Sequence, residues 1–141
     1  MKELLVPDNI APPTGTYSHG MKVTCKHLIF VAGQIPIDKD GKFVGIDPSD
    51  PRRNPIDLET QVRQTLLNVK AVLEKGGATM KDIVRLDSYV VMSAMNEYKT
   101  IGRRVKREVL EGAEPPGATI FVGGLMMTHS LIEISAIAAI D

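Results

Sequence analysis

The chain has 141 residues, of which 43% are hydrophobic, 24% are charged and only 4% are aromatic. This length suits one domain, predicted over residues 1–141, and the composition is that of a globular protein with an aliphatic core. Its 17 basic and 17 acidic residues cancel to a net charge of zero. No global field therefore attracts the protein to nucleic acid or to an anionic membrane.

Cys25 is the only cysteine, which excludes an intrachain disulfide and favours a reducing compartment. Residues 1–7 lack the basic-then-apolar pattern of a secretory signal. No uncharged apolar stretch approaches the roughly 18 residues that span a bilayer. We therefore expect a cytoplasmic protein that does not associate with membranes.

The first part of the chain predicts an arm and two strands. Residues 7–16 are rich in Pro, Gly and Asn and predict an extended arm. A short strand is predicted over 17–25, and a buried strand over 28–32, where five apolar residues are consecutive. Turn residues at 38–42 precede a short hairpin arm. The segment 47–55 carries three prolines and predicts a surface loop.

The clearest predicted element is a helix that begins after Asp57, which suits the N-cap position. Its apolar residues recur every three or four positions and form one face: Leu58, Val62, Leu66, Val69 and Leu73. Gly76-Gly77 predict its end. The remaining predicted elements are a strand over 83–92, a second helix with the apolar stripe Tyr98, Ile101, Val105 and Val109, and strands over 118–122 and 131–139.

This order of elements predicts an α+β fold, a two-layer sandwich in which two helices cover one face of a mixed sheet. The last predicted strand is apolar on both faces, since Ile132 and Ile134 alternate with residues such as Leu131 and Ile137. Neither face suits water. We therefore expect other copies of the chain to cover the face that the helices leave open.

Four segments in the right order resemble the Rid (YjgF-like, endoribonuclease L-PSP-like) family, and the similarity runs nearly end to end. They are PTGTYSHG at 13–20, FVAGQIPI at 30–37, QVRQTLLNVKAVL at 61–73 and IEISAIA at 132–138. The resemblance implies a chorismate-mutase-like (bacillus-type) fold of order ββ(β)αβαββ and a homotrimer with clefts between subunits. Many members hydrolyse reactive enamines or imines to a keto acid and ammonia.

The resemblance also implies site residues. A glutamate on the last strand positions the attacking water in such members, and this residue falls on Glu133. A cleft tyrosine falls on Tyr17, and the glycine after the second strand falls on Gly33. An arginine in a Pro-x-Arg-Ser/Thr motif holds the substrate carboxylate. This chain reads Pro-Pro-Gly-Ala-Thr at 115–119, which we interpret as Gly117 standing in place of the arginine.

Loss of such a charge-assisted contact implies at least about tenfold weaker binding of the same carboxylate. We therefore expect a small-molecule substrate other than 2-aminoacrylate. Backbone N–H groups near Gly33 and Gly117 are expected to hold its polar atoms, with Thr119 in the lining. His129 is a candidate acid–base group because imidazole titrates near neutral pH.

Two groups of cations have alternative interpretations. Either Arg52 or Arg53 reaches the cleft and replaces the missing arginine, or both are solvated in their loop. The run Arg103, Arg104, Lys106 and Arg107 is interpreted as a solvated helix face rather than a nucleic-acid patch. No His, Cys and carboxylate cluster has metal-ligand spacing, and no phosphate-binding loop precedes a helix. We expect no metal and no nucleotide cofactor.

The leading functional hypothesis is a cofactor-free hydrolase (deaminase) of a small enamine- or imine-type metabolite, bound in an inter-subunit cleft. The alternative from another class is a non-catalytic trimer that binds a metabolite or a protein partner. Ribonuclease activity or translation inhibition is a third hypothesis. It is less favoured because balanced charge and few stacking aromatics do not suit RNA binding.

Overall fold

The computed structural model describes residues 1–141, whose strands form two sheets. A small antiparallel sheet pairs β1 (Lys2–Leu5) with β2 (Gly20–Val23). The larger sheet has the strand order β3 (His27–Gln34), β6 (Ile132–Ile140), β4 (Ile83–Val91) and β5 (Thr119–Val122). Strand β6 is antiparallel to both neighbours, whereas β4 and β5 are parallel. The predicted mixed sheet is confirmed.

The main departures from the predicted strands lie near the start of the chain. All four residues of β1 are exposed. The strand therefore lacks the alternation of buried and exposed residues by which a strand is predicted from sequence. The strand expected over 17–25 is shortened to β2. The hairpin arm after the turn at 38–42 is reduced to an isolated bridge between Ile37 and Phe43.

Helix α1 (Leu58–Lys75) begins and ends as its sequence predicts. The Asp57 carboxylate accepts hydrogen bonds from the Thr60 backbone N–H at 3.0 Å and from the Thr60 hydroxyl at 2.7 Å, which satisfies a free donor of the first turn. These bonds hold the pKa of Asp57 below its usual range. Gly77 follows the helix with φ of 80°, a conformation that glycine adopts without strain.

The second predicted helix consists of several short segments instead of one continuous helix. A 3-10 turn (Met92–Ala94) leads into α2 (Met95–Glu97), a π turn (Tyr98–Gly102) and α3 (Arg103–Val109). The buried Tyr98 ring lies against Gly102, where a Cβ atom would come within 2.1 Å of the ring. The ring therefore occupies the space that a side chain at 102 would need. A further 3-10 turn (Met80–Asp82) precedes β4.

The hydrophobic core lies between the larger sheet and the two helical regions, which cover the same sheet face. Alternate residues of β6 point towards the helices and are buried: Ile132, Ile134, Ala136 and Ala138. They meet the apolar stripe of α1 and the buried side chains of β4. The predicted α+β two-layer arrangement is confirmed. No helix has both the length and the apolar content to cross a bilayer.

Gln61 is a fully buried amide that joins α1 to two loops. Its Nε2 donates to the Val44 carbonyl at 3.0 Å and to the His129 carbonyl at 2.8 Å. Its Oε1 accepts from the Leu131 backbone N–H at 2.8 Å. One side chain thus satisfies three backbone groups, two of them just before β6 begins, and a buried group left without such a partner is costly.

We predict that Gln61→Leu lowers the free energy of unfolding by about 2–4 kcal/mol, because three backbone groups lose their partner. Chemical denaturation measures the change. Gln64→Leu is the matched control on the same helix, since Gln64 donates only to the neighbouring Asn68. Equal effects of the two substitutions would contradict the role given to Gln61.

Candidate functional site

A cavity of about 350 Å³ lies between the N-terminal arm, β4, β5 and the second helical region. The arm contributes residues 14–17, and the chain before β5 contributes Gly117 and Ala118. The helical region and the two strands contribute Tyr98, Lys99, Arg103, Lys106, Leu86, Thr119 and Phe121. This cavity is named the arm cavity below.

The arm is held over the cavity by contacts with α3. Arg107 Nε donates to the Thr16 hydroxyl at 3.2 Å. Gly15 passes close to Arg103, whose Nη2 atom would lie 2.9 Å from a Cβ atom at position 15. A side chain at this position would therefore press on the guanidinium. These contacts bring Tyr17 to the cavity wall.

Three cations line the arm cavity, and none has a carboxylate oxygen within 4.0 Å: Lys99, Arg103 and Lys106. Arg104, on the opposite side of α3, is paired with Glu59 at 3.0 Å and with Glu108 at 3.1 Å. Arg104 is therefore neutralised by carboxylates in solvent, whereas Lys99, Arg103 and Lys106 face a cavity.

Lys106 is half-buried, unlike its neighbours Arg103 and Arg107. Burial lowers the pKa of the Lys106 ammonium, and the positive charge of Arg103 lowers it further, while Asp87 opposes the change. The carboxylate of Asp87 is already engaged by Arg85 Nε at 2.7 Å and by the Ala118 backbone N–H at 2.9 Å. The Lys106 charge is thus left without a compensating partner.

Hydroxyl groups complete the polar part of the lining. Burial raises the pKa of Tyr98, and the nearby Ser88 and Thr119 hydroxyls oppose the change. The buried Ser88 Oγ approaches the phenol without a hydrogen bond of good geometry. Thr119 is exposed to the cavity although it pairs with Ser88 in the sheet.

Glu133 lies on the face of the sheet that the helices leave uncovered. This outward face carries alternate residues of four strands: Leu28, Phe30, Arg85, Asp87, Tyr89, Ile120, Glu133, Ser135 and Ile137. Phe30 is 71% exposed, and Leu28 and Ile120 are 52% and 45% exposed. Arg85 and Asp87 are paired with each other, and Glu133 is half-buried beside Tyr89. The face therefore combines exposed apolar side chains with one ion pair and the Glu133 carboxylate.

Gly33 is packed directly against Glu133. The β3–β6 register shifts between Val31 and Gln34, and Gly33 lies inside this irregularity. A Cβ atom at position 33 would come within 2.2 Å of Glu133 Oε1. Only a residue without a side chain therefore leaves the Glu133 carboxylate in this position.

The remaining predicted site residues lie apart from this pair. Tyr17, Gly117 and Thr119 line the arm cavity. His129 packs on Phe43 with ring centroids 5.0 Å apart, and its buried Nδ1 has no hydrogen-bond partner. One chain therefore brings Gly33 to Glu133, and Tyr17 to Thr119, but does not unite the two groups.

The sequence interpretation did not single out the cations of the cavity. Arg103 is exposed, as expected for a solvated helix face, but it also lines the arm cavity, and Lys106 departs from the expectation because it is half-buried there. Arg52 and Arg53 are both exposed in their loop, Arg52 contacts Asp50, and neither lines the arm cavity. The missed signal is the helical spacing of Lys99, Arg103 and Lys106, which places them on one side. No group of three His, Cys or carboxylate side chains converges as a metal site.

The fold and the site define a small α+β protein of the YjgF type. A crystal structure of the Rid protein YyfB from Yersinia pestis matches 99% of this chain and 98% of its own, with a TM-score of 0.82 and 30% identity. A RutC family protein of Pyrococcus horikoshii is 34% identical over 139 residues, 98% of each chain. The 3-aminoacrylate deaminase RutC of Acinetobacter baylyi is 25% identical over 97% of each chain.

Residues 9–140 match the family described as Endoribonuclease L-PSP. The chain therefore belongs to the Rid (YjgF, endoribonuclease L-PSP) family.

We predict that Lys106→Met raises the free energy of unfolding at neutral pH, because it removes a half-buried charge without a partner. The lowered pKa means that the unfolded chain binds more protons than the folded one between the folded-state pKa and 10.5. Wild-type stability should therefore rise with pH in that window, and the advantage of the variant should shrink. The other titratable groups around Lys106 are Lys99, Arg103, Tyr17, Tyr98 and Asp87.

Denaturation of both proteins between neutral pH and pH 10.5 tests this. A variant less stable than the wild type at neutral pH would show that the Lys106 charge is already compensated.

Proposed function

We propose that the protein is a cofactor-free hydrolase that converts a small enamine or imine to a carbonyl compound and ammonia. The observation that carries the proposal is the half-buried Glu133 carboxylate, which lies against Gly33 on the sheet face that the helices leave uncovered. Membership of a family with a relative named as a 3-aminoacrylate deaminase supports this class of reaction.

The reaction requires water and one group that first accepts and then returns a proton. An enamine first takes a proton from solvent on its β-carbon and so becomes the iminium ion, which is also the protonated form of the imine. Water adds to the iminium carbon while Glu133 accepts a proton from it, and the C=N π electrons move to nitrogen. Glu133 returns this proton to the nitrogen of the carbinolamine, the C–N bond breaks, and ammonia leaves. The carbonyl forms as the hydroxyl proton passes to Glu133 and from there to the released ammonia. A positioned carboxylate contributes about 10²–10⁴ in rate to such proton transfers. An apolar surround favours the step because it excludes competing water.

The proposal places this chemistry in a cleft between copies of a homotrimer. In one chain, Glu133 shares the outward face with Phe30 and Ile120, which are well exposed. A neighbouring copy would cover these apolar side chains and enclose the carboxylate. The β5 edge of that neighbour, with Tyr17 and Ala118 nearby, would complete the cleft. The two groups of site residues that one chain keeps apart would then meet.

The substrate that we expect depends on which residue of this chain occupies the arginine position of the family motif. A Cβ atom at Gly117 would lie 1.8 Å from the Leu86 carbonyl oxygen, so no side chain fits there without a backbone shift. The motif Pro-x-Arg-Ser/Thr also fits Pro116-Gly117-Ala118-Thr119, with Ala118 in the arginine position and a threonine after it. In either register the arginine is absent, which supports a substrate other than 2-aminoacrylate.

We predict that Glu133→Gln lowers the rate of ammonia release by about 10²-fold or more, because the amide cannot accept the proton. The assay uses imines generated from amino acids by an amino acid oxidase, and 3-aminoacrylate. Gly33→Ala should also lower the rate, since the new methyl group displaces the Glu133 carboxylate. Its melting temperature should change little, because the displaced group is the end of a flexible side chain.

Glu74→Gln, an exposed carboxylate on α1, is the control and should leave the rate unchanged. Ammonia release no faster than in buffer, across all these substrates, would overturn the enzymatic proposal.

The second candidate function is a non-catalytic trimer that binds a small molecule. The absence of an arginine at both Gly117 and Ala118 favours it, since the family contact to a substrate carboxylate is missing. Ligand binding that survives Glu133→Gln, in a protein without turnover, would support this candidate instead.

A further inference from the structure

We propose that the arm cavity binds a small organic dianion, a dicarboxylate or a monophosphate, through Lys106 and Arg103. Lys99 adds positive charge at the same wall. The inference goes beyond the proposed hydrolase, because it concerns binding in the arm cavity and needs no turnover at Glu133.

The charge balance of the cavity is the first argument. The three lining cations have no carboxylate within 4.0 Å, although the chain as a whole is neutral. Other cations of the same surface are paired, as Arg104 is with Glu59 and Glu108. Asp87, the carboxylate that influences Lys106, is held by Arg85 in two hydrogen bonds. The cavity therefore carries uncompensated positive charge.

The burial of Lys106 is the second argument. An ammonium group that loses water without gaining a partner destabilises the folded chain. The direction of its pKa change, downward through burial and the adjacent Arg103, agrees with this environment. An oxyanion between Lys106 and Arg103 would restore the lost interactions with charge-assisted hydrogen bonds. Such a ligand would supply the negative charge that Lys106 and Arg103 lack in the protein alone.

The size and the neutral lining decide the class of ligand. A volume of about 350 Å³ is that of a small-molecule pocket rather than a polymer-binding groove. The Tyr17 and Thr119 side chains bring hydroxyl groups to the lining, which suit the remaining oxygens of a carboxylate or phosphate. Two or more cations favour a ligand with two negative charges over a monoanion.

The position of the cavity relative to Glu133 makes the two sites separable in experiments. Thr119 pairs with Ser88, which points to the helix side, whereas Glu133 pairs with the next residue, Tyr89, on the outward face. Successive residues of a strand point to opposite faces. In one chain the arm cavity and Glu133 therefore lie on opposite sides of the sheet, and Lys106, which the proposed hydrolysis does not use, can be replaced without changing Glu133 or Gly33.

Isothermal titration calorimetry with succinate and with inorganic phosphate tests the proposal, and succinamide serves as the uncharged control. We expect saturable binding of at least one dianion and none of succinamide. Lys106→Met should weaken binding roughly ten- to hundredfold through loss of one charge-assisted contact. Lys106→Arg should restore part of it. Preference for succinate or for phosphate identifies the dicarboxylate or the phosphate source.

Arg104→Gln is the matched control, since it removes one positive charge from the paired side of the same helix. It should leave the affinity within about twofold. Equal weakening by Arg104→Gln and Lys106→Met would reduce the effect to general electrostatics and overturn the site. Absence of saturable binding of both dianions below about 10 mM would overturn it as well. Because binding is measured without turnover, an inactive protein that binds the dianion contradicts only the hydrolase.

Discussion

The two-residue period of β6 is the constraint on which the rest of the structure depends. Ile132, Ile134, Ala136 and Ala138 must point to the helices, because they fill the core between β3, β4 and α1. The same period sends Glu133, Ser135 and Ile137 to the other face. A slip of one residue would bury the carboxylate in the core and expose the isoleucines. The position of the candidate catalytic group is thus a consequence of core packing.

The same register sets the boundary of the arm cavity. Strand β5 has only four residues, and Thr119 points to the helix side without being covered by a helix. The helical region above it is interrupted by the π turn at Tyr98–Gly102, where the Tyr98 ring fills the space beside Gly102. Such turns interrupt a regular helix and recur at functional sites. Here the turn leads directly into the segment that carries Arg103 and Lys106.

The sequence predicted the parts of the fold that rest on periodicity. The stripe of α1, its Asp57 cap and the strands β4 and β6 carry strong local patterns, so their positions follow from burial and capping. Strand β3 was predicted from its run of apolar residues, although most of them are exposed in one chain. Strand β1 has no buried residue, and the π turn depends on the packing of Tyr98 on Gly102. Neither element therefore produces a periodic pattern of apolar residues from which it could be predicted. Glu133 and Gly33 came from resemblance, whereas the pairing of Arg104 and the isolation of Lys106 depend on neighbours distant in sequence, such as Glu59.

The central claim of this account is that copies of the chain cover the outward face and so enclose Glu133. Sedimentation velocity of the purified protein tests it most directly, with Phe30→Glu as the comparison, because Phe30 is 71% exposed in one chain and its replacement leaves the core untouched. The account predicts a single species of three chains for the wild type, and dissociation for Phe30→Glu. A wild-type protein that sediments as one chain at micromolar concentration would contradict it.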